Sequence, residues 1–324
     1  MKSINRMVLA VCVFVVASAA VFAQSTTEAD ALTAIKVATN PTTKLAAAED
    51  FIAKFPNSTA RVSVAEMIAG EILKVGNGAV ALALLERAHA IFTSEKEREV
   101  LKPAALDAYV LGNRADDAFA LAAEMLAKNH DDVEVLIRMT AAGIDQASKK
   151  DLKYADISLQ YGLKAIALLE ATTKPASVTE EAWTSQRGKL GQLYQHTGIL
   201  YLAAGRNTQE AKARFTKAST LSPREPFNYA LLARVFLAEY SMQNEAYDAM
   251  PEGKSKQEAQ TKLDELLDSM IDANARAVAL ATGRVEYQSL LQSLVPELTN
   301  HYKIRHNQST KGLQELINRY RPAP

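Results

Sequence analysis

Residues 194–223 read YQHTGILYLAAGRNTQEAKARFTKASTLSP, and the spacing inside this stretch decides the fold. Tyr194, Thr197, Gly198 and Tyr201 recur at helical intervals, Gly205 marks a break, and Ala211, Phe215 and Ala218 resume the period before Pro223. Two helices joined by a short turn account for this pattern. Gly198 and Ala211 are small where the two backbones must approach, and Tyr194, Tyr201 and Phe215 fill the space around that contact. Pro223 ends the second helix, since a proline has no amide hydrogen to donate.

The same phase recurs along the chain. Tyr229, Leu232, Ala233 and Phe236 repeat the spacing of Tyr194, Thr197, Gly198 and Tyr201. Upstream, Ala65, Ile68, Ala69, Ile72 and Gly76 precede Ala81, Leu85 and Ala88, and a third unit places Ala105, Leu106 and Tyr109 before Ala118, Ala122 and Met125. Lys44 to Phe55 reads as the second helix of an opening unit, and Val133 to Gln146 with Tyr154 to Ala171 as a further hairpin. Two linkers interrupt the series, Thr172 to Val178 and Tyr247 to Gln257. Each is followed by a capping-box pattern, Ser177 with Glu180 and Ser255 with Glu258, and the second opens a helix predicted to run to about Ala281.

The series resembles the tetratricopeptide family, whose units carry an aromatic, a Leu-Gly pair and a tyrosine in the first helix and Ala-x3-Phe in the second. Thr197 stands where the family has leucine, and the turn near Arg206-Asn207 is one residue longer. The resemblance covers most of residues 30–300, most specifically in the Gly198 and Ala233 units. It implies an all-α fold, a right-handed α-solenoid of helix-turn-helix repeats with irregular insertions. It also implies a protein–protein scaffold that binds on a concave surface lined by first helices. The frame puts Gln192, Gln195, Ile199 and Leu202 of one unit on that surface with Phe227, Ala230, Arg234 and Leu237 of the next. Gln192, Gln195, Ile199, Phe227 and Arg234 are thus the expected partner-binding residues. The lysine and asparagine clamp by which family members hold a terminal carboxylate is missing.

Composition agrees with an all-helical chain. Of the 324 residues 48% are hydrophobic, aromatics make up only 6%, and Gly and Pro number 13 and 10, a mix that favours helix over strand. The 37 basic and 37 acidic side chains cancel, so no global field draws the chain to nucleic acid or to an anionic membrane. Residues 1–23 read as a signal peptide: Lys2 and Arg6, an apolar run from Met7 to Val16, and Val21-Phe22-Ala23 before Gln24. The expected product is a single repeat domain, 24–324, exported to the periplasm or beyond, with no stable membrane insertion after cleavage. The only cysteine, Cys12, lies in the leader.

Catalytic signatures are sparse. His89, His130, His196, His301 and His306 include no i, i+4 pair, and no cysteine remains to help bind a metal. A G-x-S-x-G elbow is absent. Gly253-Lys254-Ser255 resembles the end of a phosphate loop but has Asp248 where the first glycine belongs. No cofactor, metal or enzymatic activity is expected. A second reading makes the protein a carbohydrate binder that stacks sugars on Trp183, Tyr194 and Tyr201. Finally, Lys303, Arg305, Lys311, Arg319 and Arg321 oppose Glu258, Asp264, Glu265, Asp268 and Asp272. This charge asymmetry is expected to dock the terminal segment on the acidic helix or, alternatively, to bind an anionic partner.

Overall fold

In a computed structural model of the chain, the described residues are 27–322 apart from 172, 175–177, 204 and 206, so the predicted leader and Ser177 lie outside them. They form fifteen α-helices and one 3-10 turn, with no strand among the described residues. Backbone proximity divides the chain into two compact units, Met1–Val75 with Ala83–Ala104, and Gly76–Leu82 with Ala105–Pro324.

The first unit contains α1 (Glu28–Val37), α2 (Pro41–Lys54), α3 (Arg61–Ile72), most of α4 (Gly78–Ile91) and the start of α5 (Glu95–Leu111). Thr27 with Asp30 and Asn40 with Thr43 close capping boxes on α1 and α2. Ile35, Leu45, Phe51, Ile68, Leu85, Phe92 and Leu101 are completely or almost completely buried. A carboxylate is buried here too: Glu97 accepts from Arg61 Nε (2.6 Å) and Nη2 (3.2 Å) and from the Ser94 amide (2.9 Å). Burial pushes its pKa up, but Arg61 and Ser94 outweigh it and hold the group below the usual glutamate value.

The second unit holds α6 (Ala115–Lys128), α7 (Val133–Ser148), α8 (Ala155–Glu170), α9 (Glu180–Gly188), α10 (Leu190–Ala203), α11 (Thr208–Leu221), α12 (Pro226–Asp248) and α13 (Lys254–Ala281). The 3-10 turn Val285–Tyr287 leads into α14 (Gln288–Arg305) and α15 (Leu313–Arg319). Small residues fix the pairing of these helices. A Cβ added to Gly198 would lie 2.5 Å from Phe215 Cε1, and one added to Gly191 would overlap the Ser222 side chain. Seven residues back along α10 thus correspond to seven residues onward past α11, so the two helices are antiparallel. Ala211, Phe215 and Ala218 are completely buried, Tyr194 is buried, and Tyr201 is half-buried against the adjoining core. The α7–α8 pair is antiparallel as well, with Gly143 against Ser158 and Thr140 against Gly162. A Cβ on Gly162 would also fall 2.6 Å from Thr197 Cγ2, so α7, α8 and α10 converge on a residue without a side chain.

The α12–α13 hairpin departs from the expected repeat length. Its helices span 23 and 28 residues, and Arg276 over Tyr229 near one end and Lys256 over Tyr247 near the other run them antiparallel throughout. The predicted interruption from Tyr247 to Gln257 therefore shrinks to residues 249–253. Ser255 and Glu258 form no capping box, because the helix already begins at Lys254 and no side chain caps it at Gly253. The pairs Lys256–Glu252 and Lys254–Glu258 support this early start. The predicted end at Ala281 holds. Thr179, rather than Ser177, caps α9, accepting from the Ala182 amide. The basic terminal segment packs on the acidic helix: Arg305 grips Asp268 through Nε (2.8 Å) and Nη2 (3.1 Å), and Tyr320 donates to Asp272.

Candidate functional site

The starts of α10 and α12 and the 3-10 turn enclose a cleft of about 440 Å³ lined by Gly191, Gln192, Gln195, Ser222, Glu225, Phe227, Asn228 and Tyr287. Its position follows from local sequence. Pro226 at the first turn fixes the start of α12, and Glu225 caps it by accepting from the Phe227 amide at 3.1 Å. The cap leaves the Phe227 ring 44% exposed at the mouth. The Tyr287 ring centre is 5.6 Å away at a tilted angle, and Tyr287 Oη donates to the other Glu225 oxygen at 2.8 Å. Burial and then this carboxylate push the Tyr287 pKa up.

An amide relay lines the same cleft. Gln195 Nε2 donates to Asn228 Oδ1 at 2.8 Å, and Asn228 Nδ2 donates to the Ser222 carbonyl at 3.3 Å. Asn228 is buried, so the relay fixes which way its amide faces. Gln192 is exposed beside it. Exposed Gln192 and the partly buried Gln195 thus set polar side chains near the exposed Phe227, a combination suited to the backbone and side chains of an extended peptide.

A second cleft of about 670 Å³ adjoins the first through the shared residues Ser222 and Glu225, and continues past Pro223, Arg224, Leu280, Arg284 and Pro322. Arg284 organises the junction. It donates through Nη1 to the Arg224 carbonyl (3.1 Å), through Nη2 to Tyr287 Oη (3.3 Å) and through Nε to Glu286 (3.1 Å). Its guanidinium carbon lies 4.3 Å from the Tyr287 ring centre.

Of the five expected binding residues, the first cleft gathers Gln192, Gln195 and Phe227. Ile199 and Arg234 are not in its lining. Ile199 is half-buried against the core cluster that includes Phe215, Tyr229 and Ala233, and Arg234 is exposed two helical turns along α12 from Phe227. Gln195 is not a free surface side chain, because its amide is spent on Asn228. Glu225, Tyr287 and Arg284 were not anticipated. The Glu-Pro step before α12 was the available signal for Glu225. Nothing periodic marks the other two, which stand in or beside a three-residue turn.

Of the three aromatics named for a sugar-stacking site, Trp183 and Tyr194 are buried and Tyr201 is half-buried. Trp183 is 6% exposed among Leu136, Ile166, Leu169 and Leu193, and Tyr194 is 7% exposed with its hydroxyl on Glu170 at 2.8 Å. Among the described residues no group of three His, Asp or Glu side chains is placed to hold a metal, and no helix is long and apolar enough to cross a membrane. His196, lodged in α10, has its pKa lowered by burial to about 4, and its buried Nδ1 has no partner. Neither the protein-family models nor the curated proteins include a match to this chain.

Proposed function

We propose that the chain is an exported, tetratricopeptide-like binding scaffold without enzymatic activity. Its helical hairpins would stack as a right-handed α-solenoid, and it would hold a protein or peptide partner in the cleft between α10, α12 and the Val285–Tyr287 turn. The observation that carries this reading is the Phe227 ring, 44% exposed over a cleft whose polar wall is fixed by the Gln195–Asn228–Ser222 relay. Aromatic residues are enriched at recognition surfaces, and a cleft that combines one with a few placed polar groups is the usual form of a binding site. The repeat reading is supported by the antiparallel contacts of α7 with α8 and α10 with α11 across small residues. A helical-repeat scaffold places its ligand where successive hairpins present their first helices.

The test is site-specific photocrosslinking in cells. A photoreactive residue at Gln192 or Phe227 should capture a defined partner, and the same probe at the exposed Met242 should not. Adding Glu225→Ala or Asn228→Ala should weaken the capture. Equal capture at Met242 would refute the cleft as the binding surface. The leader reading is checked by N-terminal sequencing of exported protein, which should begin at Gln24.

A further inference from the structure

The two adjoining clefts differ in chemistry, and that difference selects a ligand. The first offers an aromatic platform and amides. The second offers guanidinium groups: Arg224 is exposed and makes no ion pair among the described residues, and Arg284 commits three N–H groups of its five to Glu286, the Arg224 carbonyl and Tyr287. Two carboxylates face the same region. Glu286 occupies the Nε edge of Arg284, and both oxygens of Glu225 already accept bonds, from the Phe227 amide and Tyr287. An incoming carboxylate thus meets an unpaired Arg224 and the remaining donors of Arg284. An incoming ammonium meets two carboxylates that are already engaged.

The geometry sets the spacing. Arg284's guanidinium carbon is 4.3 Å from the Tyr287 ring centre, and that centre is 5.6 Å from the Phe227 ring centre, so guanidinium and Phe227 ring are at most about 10 Å apart with the distances laid end to end. An extended peptide advances roughly 3.3 Å per residue and turns alternate side chains to the same side. Two side chains that reach both points from one face are therefore two residues apart, since a separation of four would overshoot.

We propose that the joined clefts recognise an extended peptide bearing a large apolar residue and, two positions from it, an aspartate or glutamate. The apolar side chain packs on Phe227, the carboxylate sits at Arg224 and Arg284, and the intervening backbone is read by Gln192 and the side-chain oxygen of Gln195. This rests on the scaffold reading above and adds the chemistry of the partner.

Panning a phage-displayed library of random linear nonapeptides on the purified chain tests it, with the Phe227→Ala variant as the counter-selection. Phe227-dependent peptides should be enriched for an acidic residue two positions from an aromatic or long aliphatic one. As synthetic peptides they should bind at least ten-fold more weakly to Arg224→Glu, whose exposed position leaves the melting curve unchanged, and should weaken as salt is raised. Phe227-dependent peptides with no acidic preference, or with lysine at that position, would overturn this inference and leave the scaffold reading intact. If no enriched peptide depended on Phe227, the cleft itself would lose its assignment.

Discussion

Replacing Gly198 by alanine tests the closest contact in the repeat frame. The added Cβ would lie 2.5, 2.8 and 2.9 Å from three carbons of the Phe215 ring, whereas carbons in good contact sit about 3.5–4.0 Å apart. Phe215 is completely buried, so the ring must retreat by about 1 Å into packed core or α10 and α11 must separate. Overpacking of this kind costs about 1–3 kcal/mol. The intrinsic preference of alanine over glycine in a helix returns about 1 kcal/mol, leaving a net loss of up to about 2 kcal/mol. Gly70, inside α3, has no heavy atom within 4 Å of a Cβ placed on it. There the same substitution should stabilise by up to about 1 kcal/mol. Urea melts followed by circular dichroism and by Trp183, the single tryptophan, measure both changes. Trimming the ring should relieve the clash, so Gly198→Ala with Phe215→Leu should cost less than the two changes taken separately, by about 1 kcal/mol. The reasoning fails if Gly198→Ala stabilises the chain as Gly70→Ala does, or if the two changes add.

Gly78→Ala should be at least as damaging, because its Cβ would overlap the Leu111 carbonyl, a backbone group that cannot swing aside; a thermal melt unchanged from the parent would contradict this. His196 should make stability pH-dependent: since burial lowers its pKa from 6.5 to about 4, its contribution is full above about pH 6.5, declines on acidification and levels off near pH 4, by about 3 kcal/mol in all. His196→Gln should remove that slope in urea melts at pH 6.5 and 5, and equal slopes would count against it. Glu97→Ala should cost about 3 kcal/mol by leaving Arg61 uncompensated at a largely buried site, and because the folded carboxyl is held below its ordinary value, the wild-type contribution should be present at neutral pH and lost as pH falls through that lowered pKa. Gln195→Ala should cost about 1 kcal/mol through the stranded Asn228 amide, whereas exposed Arg234→Ala should stay within about 0.5 kcal/mol; chemical denaturation separates the two.

The legible parts of the fold are those set by local chemistry. The hairpin read as Val133 to Gln146 with Tyr154 to Ala171 matches α7 and α8 to within two residues, because its apolar period is local to each helix and the structure caps α7 at Asp132. The turn between α12 and α13 was drawn too long for the converse reason. Ser255-x-x-Glu258 satisfies a capping rule, yet the pattern is equally compatible with a helix interior when tertiary packing against α12 carries the helix further back. The repeat frame grouped Gln192, Gln195 and Phe227, which do line one cleft, since they stand on regular helices. Arg234 lies outside that cleft's lining, because facing the same side of a helix does not bring a residue to the same end of it. Tyr287 and Arg284 reach the cleft from about sixty residues further along the chain than Glu225 and Arg224, a closure that only the length of the α12–α13 hairpin determines.

That hairpin has a practical geometry. The cleft lies at its open end, where Glu225 begins α12 and Arg284 follows α13, and the turn at 249–253 closes the other end. A helix of 23 residues is roughly 35 Å long at 1.5 Å per residue. Pro251 and its neighbours in the turn are thus a remote handle: a dye, an affinity tag or a small domain spliced after Pro251 would sit more than 30 Å from Phe227. Tethered through that turn to a bead or a sensor surface, the chain would keep its cleft at the far end of the hairpin from the point of attachment.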